Sequence, residues 1–449
     1  MIKTETLHNN TEKPCTERGP SVPQLRFSEF DDLWRELKYG EVFSFYSTNS
    51  LSRDSLNYEN GKVKNIHYGD IHTKFETMFN ISNEEVPFIN EDIDLSRIKE
   101  ECYCKEGDLV IADASEDYSD IGKTIELVCL NNEKVVAGLH TFLARPNKYE
   151  VSIGFPGYLV QSWKVRKQVM TIAQGTKVLG LATSRLAKIK INLPTLPEQQ
   201  KIARFLTAVD TKIRQLTQKK ELLEQYKKGV MQQLFNSPPG RGTSAPADRG
   251  GLRFKRDDGN DYPDWEEKRI GDVLIERDIK KPKSEEYPLM AFMANKGVAP
   301  KGDRYNREFL VNDGDNKKYK QTEYGDFIYS SNNLETGSIG LNRYGNATIS
   351  PVYSIFEIGD SCELEFMSNY LVRKEFINKM IRFRQGVIYG QWRIHESEFL
   401  KIIDKIPSKE EQQKIASFLS ALDTKIETVA DQIEKTQEFK KGLLQQMFV

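Results

Sequence analysis

One long segment of this chain occurs twice, and this internal repeat constrains the fold more than any other feature. The segment from Glu198 to Phe235 returns 213 residues later, from Glu411 to Phe448, without an insertion or a deletion. About 20 of the 38 aligned positions are identical, which is far more than chance produces. A repeat of this kind indicates a duplicated architecture, so the chain should be built from two related halves.

Both copies of the repeat have the pattern of a long helix that pairs with another helix. Each begins with a Ser/Thr-x-x-Glu capping box, at Thr195 and at Ser408, and Pro197 suits the first turn. Apolar residues then recur at alternating steps of four and three, which favours a supercoiled helix pair over two unrelated amphipathic helices. The predicted seam consists of Ile202, Leu206, Val209, Ile213 and Leu216 in the first copy and Ile415, Leu419, Leu422, Ile426 and Val429 in the second. Four polar residues interrupt the seam, so polar contacts should help to fix the register of the pair. They are Lys220, Lys227, Thr436 and Lys440.

Weaker matches extend the repeat into the rest of each half. The matched pairs are Leu25-Arg-Phe27 with Leu252-Arg-Phe254, Gly107-Asp108 with Gly325-Asp326, Ile121-Gly122 with Ile339-Gly340, Tyr158-Leu159 with Tyr370-Leu371, and Gln174-Gly175 with Gln385-Gly386. The spacing between partners drifts along the chain, which indicates one scaffold with loops of different length. The two halves should therefore share a fold and differ in their surfaces.

These matches divide the chain into six segments. We predict a flexible tail at 1–20, a first mixed α/β domain at 21–194, a first repeat helix at 195–236, a linker at 237–251, a second mixed α/β domain at 252–407 and a second repeat helix at 408–449. The linker is rich in Pro, Gly and Ser, which favours an extended connection. Within the domains, strands are predicted at Asp108–Ala112, Ile125–Val128, Asp326–Tyr329 and Val352–Phe356, and a helix at Tyr370–Phe383. The predicted fold class is α+β.

Composition narrows the class of protein without identifying it. With 38% hydrophobic and 29% charged residues, the chain resembles a soluble globular protein. No apolar run approaches the roughly 20 residues that span a bilayer, and the N-terminus lacks a signal pattern, so a cytoplasmic protein without membrane contact is expected. The five cysteines are scattered, and Cys102 and Cys104 are spaced wrongly for a zinc knuckle, so we expect reduced thiols. The net charge of −1 is uninformative, because nucleic-acid binding depends on local positive surface.

The order of these segments resembles the specificity subunit of Type I restriction-modification enzymes. The resemblance rests on the sequence Leu196-Pro197-Glu198-Gln199-Gln200-Lys201-Ile202 at the start of the first helix and on its echo from Glu410 to Ile415. It extends over nearly the whole chain and is most specific in the helices. The second copy departs from the pattern, because it has Ile406-Pro-Ser-Lys-Glu410 where the family has a Leu-Pro pair.

The resemblance implies a non-catalytic DNA-binding subunit of a larger complex. It implies that the two helices form an antiparallel coiled coil between two target-recognition domains, each of which reads half of a bipartite double-stranded DNA target. It also implies that the helices dock two methyltransferase subunits, and that restriction-translocase subunits join this core. No cofactor or metal is then expected in this chain, because S-adenosylmethionine, ATP and Mg²⁺ belong to the partners. The implied location is the bacterial cytoplasm, in association with the nucleoid.

Two basic clusters at matched positions predict where DNA is contacted. Seven basic residues and no acidic residue occur from Gln161 to Lys190, and the second half is free of acids from Phe376 to His395. Such clusters supply the phosphate contacts that dominate DNA affinity, and Arg, Lys and Gln also suit base edges. The predicted DNA-binding residues are Lys164, Arg166, Lys167, Gln174, Thr176, Lys177 and Arg185 in the first half and Arg382, Arg384, Gln385, Tyr389, Gln391, Trp392 and Arg393 in the second.

Several alternatives stay open on the sequence alone. The basic clusters are also compatible with a solvated surface, and the helices suit a coiled-coil adaptor protein without direct DNA contact equally well. The segment from Pro263 to Lys268 has the letters of a nuclease motif, but its carboxylates are too close in sequence to surround one metal, and no Gly-x-Gly-x-x-Gly or phosphate loop occurs. His67, His72 and His140 suggest a metal, although loop or core histidines explain them better.

Overall fold

Each copy of the repeat folds into one uninterrupted helix, over Leu196–Phe235 and over Lys409–Gln446. The computed structural model describes residues 7–9, 22–235, 252–300, 317–388 and 391–449. The predicted linker at 237–251 lies outside the described residues. So does most of the predicted tail at 1–20, within which Leu7–Asn9 forms a strand.

The shorter helices lie in the globular parts of the two halves. The described helices are α1 (Tyr39–Val42), α2 (Tyr68–Thr73), α3 (Phe155–Gln161), α4 (Trp163–Ile172), α5 (Thr183–Leu186), α6 (Leu196–Phe235), α7 (Leu364–Tyr370), α8 (Lys374–Ile381), α9 (Glu396–Phe399) and α10 (Lys409–Gln446). The prediction of one helix over Tyr370–Phe383 is wrong, because α7 ends at Tyr370 and α8 begins at Lys374. Between them Arg373 has an extended backbone, and its Nε donates to the Tyr370 carbonyl at 2.7 Å, which satisfies an acceptor at the end of α7.

The chain divides into two compact units. The first contains Met1–Gln218 and Ala430–Val449, and the second contains Lys219–Val429. Each unit therefore includes part of both long helices. Each also has its own apolar core, in which side chains of the globular part pack on the helices.

The first unit is built around a five-stranded sheet. Its strands are β1 (Leu7–Asn9), β2 (Leu25–Phe27), β3 (Arg35–Lys38), β4 (Phe43–Tyr46), β5 (Leu56–Asn57), β6 (Lys64–Ile66), β7 (Met78–Asn80), β8 (Phe88–Ile89), β9 (Leu109–Ala112), β10 (Ala114–Ser115), β11 (Thr124–Cys129), β12 (Val135–Ala137), β13 (Thr141–Pro146), β14 (Leu179–Gly180) and β15 (Lys190–Leu193). The main sheet has the order β4-β13-β9-β11-β7, and a second sheet has the order β12-β6-β8-β5. All four residues of β9 are buried. Its continuous apolar sequence is the pattern expected of a central strand that is covered on both faces.

The second unit repeats this plan with a smaller main sheet. Its strands are β16 (Glu266–Arg269), β17 (Leu274–Glu276), β18 (Lys280–Lys281), β19 (Ala291–Met293), β20 (Gly297–Ala299), β21 (Tyr319–Thr322), β22 (Phe327–Tyr329), β23 (Ile339–Leu341), β24 (Ala347–Ile349), β25 (Ser354–Ile358), β26 (Gln385–Ile388), β27 (Gln391–Arg393) and β28 (Ile403–Ile406). The main sheet has the order β17-β25-β22-β23, with the fully buried β22 in the place of β9. The four strands predicted from sequence are confirmed as β9, β11, β22 and β25.

The two long helices pack through the predicted seam in both units. In the first unit Ile202, Leu206 and Val209 share a core with Leu443 and Met447. In the second unit the end of α6 packs on the start of α10, and the shared core contains Val230, Leu234, Ile415 and Leu419. Leu216, Leu422 and Val429 are also buried, while Ile213 and Ile426 are half-buried. The start of one helix meets the end of the other in each unit, so the pairing is antiparallel. The predicted fold class is thereby confirmed.

The Glu-Gln pair at the start of each helix joins it to the globular part of its unit. Arg26 donates to both carboxylate oxygens of Glu198, at 2.7 and 2.8 Å, and Arg253 donates to both oxygens of Glu411, at 3.0 Å each. The capping boxes predicted from sequence give these glutamates the role of helix caps. The serine half of the second box is present, because Ser408 Oγ accepts from the Glu411 N–H at 3.4 Å. The glutamate half is wrong, because each carboxylate is buried and bound by an arginine from the matched Leu-Arg-Phe segment.

The neighbouring glutamines complete the same junction. Gln199 Oε1 accepts from the Ser152 backbone N–H at 2.9 Å, and its Nε2 donates to the Pro194 carbonyl at 2.9 Å. Gln412 makes the equivalent contacts, with the Glu363 N–H at 2.8 Å and the Pro407 carbonyl at 2.9 Å. The most recognisable letters of the repeat are therefore buried and structural.

Candidate nucleic-acid interface

Each unit brings two matched segments together beside its central strand. We call the first the strand loop, which is residues 113–120 in the first unit and 330–338 in the second. It lies between the matched Gly-Asp and Ile-Gly pairs. We call the other the Gln-Gly segment, which is residues 174–180 in the first unit and the strands Gln385–Ile388 and Gln391–Arg393 in the second.

The Gln-Gly segment of the first unit is a closed turn with an exposed tip. Gln174 and Gly180 exchange both backbone hydrogen bonds, at 3.0 and 2.7 Å. Gly175 has a φ of +138°, and a Cβ there would lie 1.9 Å from the Val178 carbonyl oxygen, so the turn requires glycine. The side chains of Gln174, Thr176 and Lys177 are exposed on this turn.

Backbone pairing holds that turn against the strand loop. β14, at the end of the turn, pairs antiparallel with β10 of the strand loop. The Leu181 N–H then donates to the Asp113 carbonyl at 2.8 Å. Two segments far apart in sequence thus form one surface.

The basic residues on the helices of the first unit differ in exposure and in whether they contact the rest of the unit. Lys164 and Lys167 lie exposed on α4. Arg166 points the other way, is half-buried, and donates from Nη2 to the Ser119 carbonyl at 2.9 Å. Burial lowers the pKa of its guanidinium. Arg185 is also half-buried, on α5, with its Nη1 3.4 Å from the Ile172 carbonyl oxygen.

In the second unit the Gln-Gly segment is a β-hairpin. Gln385 pairs with Arg393 across it, and both side chains are exposed. Trp392 is 45% exposed, an unusual state for a large aromatic side chain. Arg393 is 66% exposed, and its nearest carboxylate, that of Glu396, is 3.9 Å away. Tyr389 and the side chain of Gln391 lie outside the described residues.

The strand loop of the second unit is bound to this hairpin by two side chains. Ser331 Oγ accepts from the Ile394 N–H at 3.0 Å. Arg384 donates from both terminal nitrogens to the two carboxylate oxygens of Glu335, at 2.8 and 2.7 Å. This hydrogen-bonded pairing lowers the pKa of Glu335. Arg382, two residues away, is exposed.

The exposed side chains of each surface suit nucleic acid more than a small ligand. Amide and guanidinium groups can reach base edges or phosphates, and an exposed indole can stack on a base. The sequence predicts the amides and cations but misses Ser119, Ser331 and Glu335. No sequence signal marks these three, because their role depends on contacts between distant segments.

The histidines do not form a metal site in the described part of the chain. Tyr68 lies among His67, His72 and His140, with ring centroids 4.7, 6.1 and 5.3 Å away. His140 Nδ1 lies 3.2 Å from Asp113 Oδ1, and His72 Nε2 lies 3.0 Å from the Ala114 carbonyl oxygen. Among the described residues, no group of three potential ligands is suitably placed for a metal ion. No described helix has the length and apolarity to cross a membrane.

The chain is similar in sequence to known proteins. The chain matches the family model of the Type I restriction modification DNA specificity domain over residues 31–225 and 262–437. It is 24% identical over 304 residues to the Type I restriction enzyme MjaVIII specificity subunit of Methanocaldococcus jannaschii, which covers 64% of this chain and 68% of that protein.

Two solved structures share the fold. One is the S subunit of a Type-I restriction-modification system from M. genitalium, with a TM-score of 0.51 and 15% identity over 95% of this chain and 99% of that chain. The other comes from a structural study of complex assembly and conformational transition in the type I R-M system. It has a TM-score of 0.51 and 15% identity over 92% of this chain and 96% of that chain. At this identity the likeness concerns the fold alone.

Proposed function

The chain belongs to the family of Type I restriction-modification DNA specificity subunits, and on that premise we propose that each unit reads one half of a bipartite double-stranded DNA target. In the first unit the reading surface is the strand loop with Gln174, Thr176 and Lys177. In the second unit it is the strand loop with the β26–β27 hairpin. Exposed lysines and arginines beside these surfaces bind the phosphates.

One observation carries this proposal: the same two-segment surface occurs in both units with different exposed side chains. Thr176 and Lys177 occupy the tip in the first unit, whereas the second presents Trp392 and Arg393. A shared scaffold with different side chains is what reading two different half-sites requires, because base edges are distinguished by the donors and acceptors that face them.

We further propose that the outer faces of the two helices dock methyltransferase subunits. Tyr226 on α6 and Phe439 on α10 are both exposed, and they occupy the same position of the repeat. Two equivalent exposed aromatics suit two copies of one partner, since aromatic residues are enriched at protein interfaces. In this proposal the chain itself is non-catalytic and resides in the cytoplasm. The methyltransferase and restriction-translocase partners carry S-adenosylmethionine, ATP and Mg²⁺.

The test is to mix the chain with its methyltransferase partner and map methylated sites on random-sequence double-stranded DNA. The expected result is methylation at one bipartite sequence with a fixed spacer, and none with the chain alone. Gel shifts with the same DNA then measure binding. A complex that assembles but binds every sequence equally would favour the coiled-coil adaptor, and methyl transfer by the isolated chain would contradict a non-catalytic subunit.

A further inference from the structure

In both units an arginine joins the strand loop to the chain that carries the Gln-Gly segment. Arg384 directly precedes the hairpin and binds Glu335, near the middle of the strand loop. Arg166 lies on α4, which leads to the Gln-Gly turn, and binds the Ser119 carbonyl of its strand loop. The two contacts use different sequence positions and different acceptors, yet they connect the same pair of segments.

We infer that Arg384 and Arg166 are positioning residues, which set the specificity of their half-sites by holding the strand loop and the Gln-Gly segment in one arrangement. The inference rests on the proposed function and concerns how the reading surfaces are kept rigid. A surface that reads bases must hold its donors and acceptors to within a fraction of an ångström, and such precision depends on supporting contacts. The sequence does not distinguish either arginine from its basic neighbours.

The geometry of Arg384 argues against a direct phosphate contact. Its side chain is only 12% exposed, and both terminal nitrogens are bound to Glu335. Glu335 itself is 52% exposed. If Arg384 turned away to bind a phosphate, the Glu335 carboxylate would stay unpaired on the proposed DNA-facing surface and repel the backbone. The bidentate pair therefore fixes the loop and also neutralises the carboxylate.

Arg166 holds the strand loop of the first unit through a hydrogen bond to an uncharged acceptor. One terminal nitrogen donates to the Ser119 carbonyl, while the other lies close to Gly122 of the matched Ile-Gly pair, where an added Cβ would be 3.7 Å from it. The guanidinium thus lies against the end of the strand loop and against the Ile-Gly pair that follows it. Its neighbours Lys164 and Lys167 are exposed and have no such position.

The test measures discrimination between the target and DNA altered in one half-site, using the complete complex with its methyltransferase subunits. Arg384→Ala and Glu335→Ala should each lower discrimination at one half-site by about tenfold, and the double variant should be no worse than either, since contacting residues are coupled. The exchange Arg384→Glu with Glu335→Arg should recover part of that discrimination. Arg166→Gln should act in the same way on the other half-site only.

The matched controls are Arg382→Ala and Lys167→Gln, which remove exposed cations beside each positioning residue. They should change affinity for all sequences alike and reduce the salt dependence, because each bound phosphate contributes about 0.9 to the slope of log K against log salt. The double variant of Arg384→Ala with Glu335→Ala leaves no unpaired carboxylate, and it and Arg166→Gln should leave that slope unchanged.

The outcomes separate this inference from the proposed function. If the double variant lowers the salt slope as Arg382→Ala does, while Glu335→Ala leaves discrimination unchanged, Arg384 binds a phosphate and the inference is overturned. Unchanged discrimination in folded Arg384 and Arg166 variants also overturns it. If the unmodified complex shows no sequence preference at all, the proposed function fails instead.

Discussion

Lys227 Nζ lies 2.6 Å from Asp423 Oδ1, and the repeat produces the same ion pair a second time, between Lys440 and Asp210 at 2.7 Å. Lys227 and Lys440 are equivalent positions of the two helices, as are Asp210 and Asp423. Each helix thus contributes one lysine to the seam and one aspartate beside it. These are the polar contacts expected where charged residues interrupt an apolar seam, and they favour a single register.

Removing either aspartate should destabilise the helix pair. Asp423→Asn leaves the largely buried Lys227 without its partner, and we expect a fall of several degrees in the midpoint of thermal unfolding. Asp210→Asn should cost more, because Asp210 also accepts a hydrogen bond from Tyr158 at 2.8 Å. Lys228→Gln, an exposed neighbour on α6, serves as the control. Equal midpoints for all three variants would contradict a role in register.

The buried pair of Arg26 and Glu198 should be more sensitive to the removal of one partner than of both. Glu198→Ala leaves the buried Arg26 guanidinium unpaired, which typically costs about 3–5 kcal/mol in the free energy of unfolding. Replacing both by leucine should restore part of the stability, because no buried charge is then uncompensated. Denaturant unfolding compares the variants. A double variant less stable than Glu198→Ala would show that the pair itself is the larger contribution.

Lys164 and Lys167 should bind phosphates. Their joint replacement by glutamine should reduce the slope of log K against log salt by about 1.8, because each bound phosphate contributes about 0.9. Arg166 is left out of this variant because its guanidinium contacts the Ser119 carbonyl. Lys148→Gln, at an exposed lysine outside the basic cluster, is the control. An unchanged slope would assign both lysines to an ordinary solvated surface.

Arg393 should contribute to base recognition. Its exposure and its position on β27 leave the guanidinium accessible, so Arg393→Ala should reduce discrimination at one half-site by about 1–3 kcal/mol, the usual contribution of a bidentate base contact. Competition binding with single-base variants of the target measures this. Lys401→Ala, an exposed site already paired with Glu398, should have no effect. If Arg393→Ala lowered the affinity for every DNA sequence equally, Arg393 would contact the DNA backbone and not a base.

Glu126 should make the stability of the first unit depend on pH. Burial raises its pKa to about 7, although the Gly154 and Gly157 N–H groups donate to it at 2.5 and 2.7 Å. The pKa in the folded state lies above the ordinary value of 4.5, so the folded state binds the Glu126 proton more tightly than the unfolded state does. The stability that this proton contributes is complete below pH 4.5 and is lost as the pH rises through about 7. The difference between the two pKa values corresponds to about 3 kcal/mol in the free energy of unfolding.

The comparison between the unmodified chain and Glu126→Gln isolates this effect. The difference in their unfolding midpoints should shrink or reverse from pH 5 to pH 8, because the amide does not titrate. Glu224→Gln, on the exposed face of α6, should show a constant difference over the same range. A pH-independent difference for Glu126→Gln would mean that the carboxyl is ionised throughout.

The long helices, their seam and the two-fold repeat of the chain were predictable from the sequence alone. Helical periodicity is a local property, so the burial of Ile202, Leu206 and Ile415 follows from spacing within one segment. The strands β9 and β22 were predictable for the same reason, since a continuous apolar run is also a local property of the sequence. The family resemblance also rests on such local signals.

The roles of individual charged residues were decided by the tertiary structure. Glu198 has the spacing of a helix cap, but the fold brings Arg26 to it from 172 residues away. Arg166 and Lys167 are adjacent and equally basic in the sequence, yet α4 turns one toward the strand loop and the other toward solvent. Arg384 and Glu335 are 49 residues apart. The partner of a charged side chain depends on which distant segment folding places beside it, and one sequence carries no local record of that choice.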